Sequence, residues 1–237
     1  MKKLVAIAMG LAMSTATFAQ DEVETTISTD VVSHYVWRGQ DLGGASVQPT
    51  LGVAYKGLSL SAWGSVGITN PADAQELDLT LAYTLGKLNI GITDYWTNTA
   101  GGDPEARYFK YDAHGTNHVF EANIGYDFGV ASLQWFTNFG GKDGLNKDGK
   151  RAYSSYVEAA VPFKFASVDW TATAGAVPFA TDFYNGWTSG FAVTSVALKA
   201  TKDVRITDTF TLPVFAEVSG NPRTQMGYFV LGLTLIP

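Results

Sequence analysis

Apolar and polar residues take turns along most of this chain, and that rhythm limits its fold more than any other feature. Residues 58–66 (LSLSAWGSV), 76–81 (ELDLTL) and 87–93 (KLNIGIT) alternate almost without interruption. A period of two over such lengths specifies a strand with two unlike faces. No segment beyond the N-terminus carries a 3.6-residue period, so the expected class is all-β. Twelve strands are predicted, over 25–38, 45–56, 58–68, 76–85, 87–97, 118–127, 130–139, 152–162, 166–177, 190–199, 207–218 and 223–235. Their lengths cluster near ten residues, about what a tilted strand needs to cross a hydrocarbon layer.

The connections are sorted by length. Lys56-Gly57, Gly86, the 127–129 region and 163–165 leave room only for tight turns; 200–206 is the exception on that side. The intervening stretches 39–44, 69–75, 98–117, 140–151, 178–189 and 219–222 are mostly longer and rich in Gly, Asn, Asp or Pro. Short turns at one end and long loops at the other point to a transmembrane antiparallel β-barrel, an up-and-down meander of about 12 strands. Aromatic residues agree. On the apolar faces, Tyr35, Trp37, Trp96, Phe139 and Tyr153 fall at the long-loop end, and Tyr55, Tyr83, Tyr126, Phe128 and Phe163 at the short-turn end. Aliphatics lie between, with Trp135 as the exception. Two rings of aromatics flanking an aliphatic belt match two interfacial girdles. On this reading Tyr35 and Trp37 face outward at the end of strand one, and Arg38 faces inward.

Composition separates a mature domain from a leader. Met1-Lys2-Lys3, an apolar run over 4–13 and small residues at Thr17 and Ala19 read as a secretory signal peptide over 1–19, leaving 20–237 as a single barrel domain. The apolar run is too short to span a bilayer. Removing Lys2 and Lys3 takes the formal charge from −6 to −8, which disfavours nucleic acid as a partner. With no cysteine, no disulfide staples an exported fold. Charged residues at 16% and aromatics at 13% suit β structure facing lipid. An even strand count places both termini in the periplasm and the long loops outside. Every backbone group in lipid must be paired, so the last strand must close on the first.

The same parity yields an inward list: Asp30, His34, Arg38, Gln48, Asp78, Glu121, Asn123, Gln134, Asn138, Glu158, Asp169, Lys199 and Glu217. Six acids against two bases and one histidine would either form a salt-bridged interior or favour cations weakly. Twelve tilted strands give a backbone diameter of roughly 25 Å, and side chains leave a lumen of roughly 10 Å. Such a lumen passes ions, sugars or amino acids. Trp63, Tyr156, Phe215 and Tyr228 also have inward parity and could narrow or plug it.

Catalysis and metal binding find little support. Asp112, His114 and His118 lie close in sequence but read as part of a solvated loop. His34 and the serines Ser33 and Ser65 do not reproduce an outer-membrane hydrolase, because His34 has inward parity and Ser33 the opposite. No phosphate-binding glycine loop is present. No enzyme activity, cofactor or metal is expected.

Tyr35-Val36-Trp37-Arg38-Gly39, then Gln48-Pro49, Ala62-Trp63-Gly64-Ser65, Glu76-Leu77-Asp78 and Tyr83 resemble the TorF-like porin family of Gram-negative outer membranes. Glu121 before Gly125-Tyr126 is similar to a later family segment. The resemblance implies a barrel with a channel role and brings no substrate or functional residues. The expected function is passive diffusion of small solutes or ions across the outer membrane. The alternative is a structural or interaction barrel with a filled lumen, working through loops such as 98–117, which carries Tyr108, Phe109 and Tyr111.

Overall fold

A computed structural model describes residues 22–70, 73–99, 106–112, 115–184 and 188–237. The expected leader at 1–19 and His114 lie outside the described residues. The fold is all-β. Its strands are β1 (Glu24–Val32), β2 (Tyr35–Trp37), β3 (Gln40–Gly43), β4 (Ser46–Tyr55), β5 (Leu58–Gly67), β6 (Ala74–Leu85) and β7 (Leu88–Thr99). The chain continues with β8 (His118–Asp127), β9 (Ser132–Gly141), β10 (Ser155–Phe165), β11 (Val168–Val177), β12 (Ala192–Arg205), β13 (Thr211–Asn221) and β14 (Met226–Leu235). All but β2 and β3 form a closed, antiparallel, up-and-down barrel of twelve strands. Closure joins β1 to β14, with Asp30 opposite Thr234 and Val31 opposite Leu233.

The turns explain the tight end. Lys56 and Gly57 both have positive φ, at 48° and 86°, and link Tyr55 to its partner Leu58. Ala166 and Ser167 do the same between Phe165 and Val168, at 52° and 59°. Two central residues with φ > 0 make the type I′ hairpin turn, whose twist matches that of the strands. The 200–206 stretch, read from sequence as a loop, is mostly strand: β12 runs to Arg205, and the turn is confined to 206–210.

Alternation divides the wall into two faces. Leu51, Leu60, Leu81, Ile92, Ile124 and Leu133 are exposed on the outside, as are Tyr55, Tyr83, Tyr126, Phe128 and Phe163 near the turns. Water-soluble monomers rarely expose an apolar patch of more than a few hundred Å². The inside is polar but uneven. Near the loops it is packed, with Gln48, Trp63, Ser65, Asp78, Glu121, Asn138, Tyr156 and Ser219 all buried. Near the turns it is lined by Ser59, Ser61, Thr80, Ala82, Thr84, Asn89, Thr171, Thr173 and Ala197, which solvent still reaches.

The main departure from the sequence reading is strand one. It leaves the wall at Val32 instead of running on to 38. Ser33 anchors the departure: its amide donates to the Leu231 carbonyl and its hydroxyl accepts from the Leu231 amide. The chain then dives inward as a separate two-stranded hairpin, β2–β3. Tyr35 and Trp37 therefore do not face outward. Alternation says which residues share a face; once a segment peels off the wall, it no longer says which way that face points.

Candidate functional site

The hairpin over 33–45 fills the loop end of the lumen, and its tip carries the chemistry. Trp37 pairs with Gln40 across Arg38-Gly39. Arg38 and Gly39 have φ of 50° and 76°, another type I′ turn. Left-handed backbone costs a non-glycine residue roughly 1–2 kcal/mol. Arg38 holds it because its side chain is fixed elsewhere. Its two terminal nitrogens donate to the two Glu121 carboxylate oxygens of β8 at 2.5 and 2.9 Å, a bidentate pair. Nη1 also donates to the Tyr184 hydroxyl at 2.9 Å. Tyr95 of β7 donates to the same carboxylate at 2.9 Å. Both ends of the ion pair are almost wholly buried, at 7% and 2% side-chain exposure.

Aromatic faces complete the seat. The guanidinium carbon lies 4.0 Å from the Phe136 ring centre, 4.4 Å from Trp37 and 4.8 Å from Tyr156. Trp37 in turn packs on Tyr95 and Tyr184. Tyr184 comes from the 178–191 connection and is fully buried with Tyr156 and Val177. Burial pushes the Tyr184 hydroxyl above its ordinary value, although the Arg38 charge opposes this, so it remains a neutral hydroxyl.

Further contacts tie the hairpin to other walls. Tyr35 donates to Glu76 of β6 at 2.8 Å and packs on Trp63 of β5. Asn221 of β13 donates to the Gly39 carbonyl at 3.1 Å. A Cβ at Gly39 would stand 1.9 Å from the Thr194 carbonyl oxygen, so only glycine fits this tip. The hairpin thus reaches β5, β6, β8, β12 and β13, and spans the lumen from wall to wall.

Eleven of the thirteen residues expected inside fall into three groups, and His34 and Asp169 stand apart. Arg38 and Glu121 meet directly, and Glu158 lies near enough to Arg38 to feel its charge while accepting from Tyr156 at 3.1 Å. Gln48, Asp78, Asn138 and Gln134 are buried, the first three in the loop-end half and Gln134 near the turn between β8 and β9; Gln48 donates to Ser46, and Asn138 to Asp143. Asp30, Asn123, Lys199 and Glu217 sit on solvent-reached inward positions of β1, β8, β12 and β13. Asp30 accepts from Thr234, and Lys199 lies 4.0 Å over the Phe215 ring. His34 belongs to the hairpin, not the wall, and pairs with Asp41 at 2.9 Å. Asp169 sits at the turn end, largely exposed and paired with Lys164.

Sequence reasoning missed several partners. Tyr184 gave no signal, because its connection has no alternation. Tyr95 has the same parity as Thr93 and could have been placed inside by counting. His118 is not a solvated loop residue: it is fully buried, with Nδ1 2.7 Å from Asp94 and Nε2 2.6 Å from the Tyr108 carbonyl. Both ring nitrogens are engaged and the ring stacks on Tyr111 at 4.1 Å, so it fastens the 106–117 segment to β7 and β8.

No family model and no curated protein matches the chain. Among solved structures, one described as "Unveiling the Mechanism Behind the in-meso Crystallization of Membrane Proteins" aligns over 88% of this chain and 82% of its own, at 8% identity and a TM-score of 0.38.

Proposed function

We propose that this barrel is an outer-membrane channel of the TorF-like porin kind, closed at its loop end by a displaceable hairpin. Both termini and the tight turns face the periplasm, and the long loops face outward. One observation carries the reading. The inner half near the turns is lined mostly by small side chains that water reaches, with the Phe215 ring among them, whereas the other half is closed by a segment that is not part of the wall. A barrel filled only for stability has no need of a wetted vestibule beneath a separate plug. The exposed aliphatic belt and the aromatics near the turns support a lipid setting. With the hairpin out, the lumen of roughly 10 Å admits ions and small polar solutes by diffusion. Asp30, Glu217 and Glu121, from which Arg38 has then withdrawn, give it a weak preference for cations.

A second reading is favoured by the buried cluster of Tyr156, Val177 and Tyr184: a permanently filled barrel that acts through its outer loops. Liposome swelling separates the two. Vesicles carrying a variant whose residues 34–43 are replaced by a short Gly-Ser link should swell in small sugars and amino acids at rates that fall with solute size. No swelling with any solute supports the filled barrel.

A further inference from the structure

Asp78 is a buried acid without a donor. Its side chain is 1% exposed, and neither carboxylate oxygen has a hydrogen-bond donor. Burying an ionised carboxylate in that state is prohibitively costly. Its own strand supplies a second acid. Glu76 lies two residues away on the same face of β6, so the two carboxyl groups are neighbours on the inner wall. Trp63 of β5 and Tyr95 of β7 flank Asp78 in register. Of the other charged or titratable groups around it, Glu121 from β8 adds negative charge, the hydroxyls of Tyr35 from the hairpin and Tyr95 from β7 donate to Glu76 and Glu121, and Asp94 lies on the opposite face of β7, paired with His118. Arg38 is committed to Glu121.

Two adjacent carboxyls, one buried without a donor and one half-buried with only Tyr35 donating to it, and no cation between them, resist being ionised together. From this geometry we infer that Glu76 and Asp78 bind one proton between them and form a proton-responsive latch under the hairpin. The inference rests on the reading of 33–45 as a plug. The hairpin is coupled to the pair because Tyr35 donates to Glu76 at 2.8 Å and its ring covers Trp63. With the proton present, the pair is neutral enough to stay dry and the hairpin packs down on it. When the proton leaves, two like charges side by side draw in water, and the hairpin loses its seat. The closed form holds one proton more than the open form. Acid therefore favours closure and alkali favours opening, by at most about tenfold in the opening ratio per pH unit.

Two measurements on the full barrel in detergent test this, and neither needs a conducting channel. Infrared spectroscopy should show the carbonyl stretch of a protonated, exchange-protected carboxylic acid. Asp78→Asn and Glu76→Gln should each abolish it while keeping size and hydrogen bonding. A wild-type spectrum without the band, or a band that survives Asp78→Asn, overturns the assignment. Amide hydrogen exchange over 33–45, corrected for intrinsic rates, should rise with pH in the wild type by up to tenfold per unit. That response should be flat in Asp78→Asn. An equal response in the variant also overturns it. If exchange follows replacement of Na⁺ by K⁺ or Ca²⁺ at fixed pH instead of pH itself, the pair holds a metal cation and the proton assignment fails. Loss of the exchange response with the band intact would count against the plug and leave the proton site standing.

Discussion

Glu121→Gln is the sharpest single perturbation of the plug. The wild-type carboxylate accepts two bonds from Arg38 and one from Tyr95, all buried. Glutamine keeps the shape and one carbonyl acceptor but turns an amide toward a guanidinium. The Arg38 charge then sits without its bidentate partner among Trp37, Phe136 and Tyr156, held by ring faces, the Tyr184 hydroxyl and the more distant Glu158. Removing one partner of a buried ion pair costs about 3–5 kcal/mol. Because glutamine retains an acceptor, the lower end applies, about 3 kcal/mol, which is roughly a hundredfold in the ratio of open to closed hairpin. Hydrogen exchange should report it as a rise of about that size in the amides of 33–45, with β5 and β13 unchanged. The double variant Arg38→Gln, Glu121→Gln should recover much of the protection, since neither charge is left stranded. Unchanged exchange in Glu121→Gln would show that the ion pair does not hold the hairpin. An equal rise throughout the barrel would show that it stabilises the whole fold rather than the plug.

Other consequences can be checked separately. Gly39→Ala should open the hairpin without touching any charge, because its Cβ would meet the Thr194 carbonyl at 1.9 Å; exchange over 33–45 reads it. Tyr184→Phe removes one acceptor from Arg38 and should loosen the hairpin by only about 1 kcal/mol, a several-fold rise in the same exchange. In an opened variant, Asp30→Asn with Glu217→Gln should move the reversal potential in a salt gradient toward anions. Topology predicts that a cysteine at Lys147 reacts with an impermeant thiol reagent on intact cells while one at Lys87 does not.

Much of the barrel was legible because period two and turn chemistry are local properties. Tyr55-Lys56-Gly57-Leu58 announces a hairpin wherever it occurs, and the wall strands follow from it in sequence. The plug was not legible, since Tyr35 and Trp37 keep the same rhythm as strand one and only the break at Ser33 changes their address. That break depends on Leu231, a residue nearly two hundred positions away in the chain. Inward parity put Arg38 and Glu121 on one list but could not tell that one comes from the hairpin and the other from the wall. Tyr184 was invisible for a different reason: it acts from a connection that no alternation encodes.

Single-channel recording in planar bilayers tests the plugged-channel account most directly, comparing the wild type with a variant whose residues 34–43 are replaced by a short Gly-Ser link. The account predicts rare, brief openings in the wild type and steady conductance steps in the variant, of a size fitting a lumen of roughly 10 Å. Silence in both would contradict it, because the barrel would then have no path for the hairpin to close. Equal, steady conductance in both would contradict it too, because the hairpin would then block nothing.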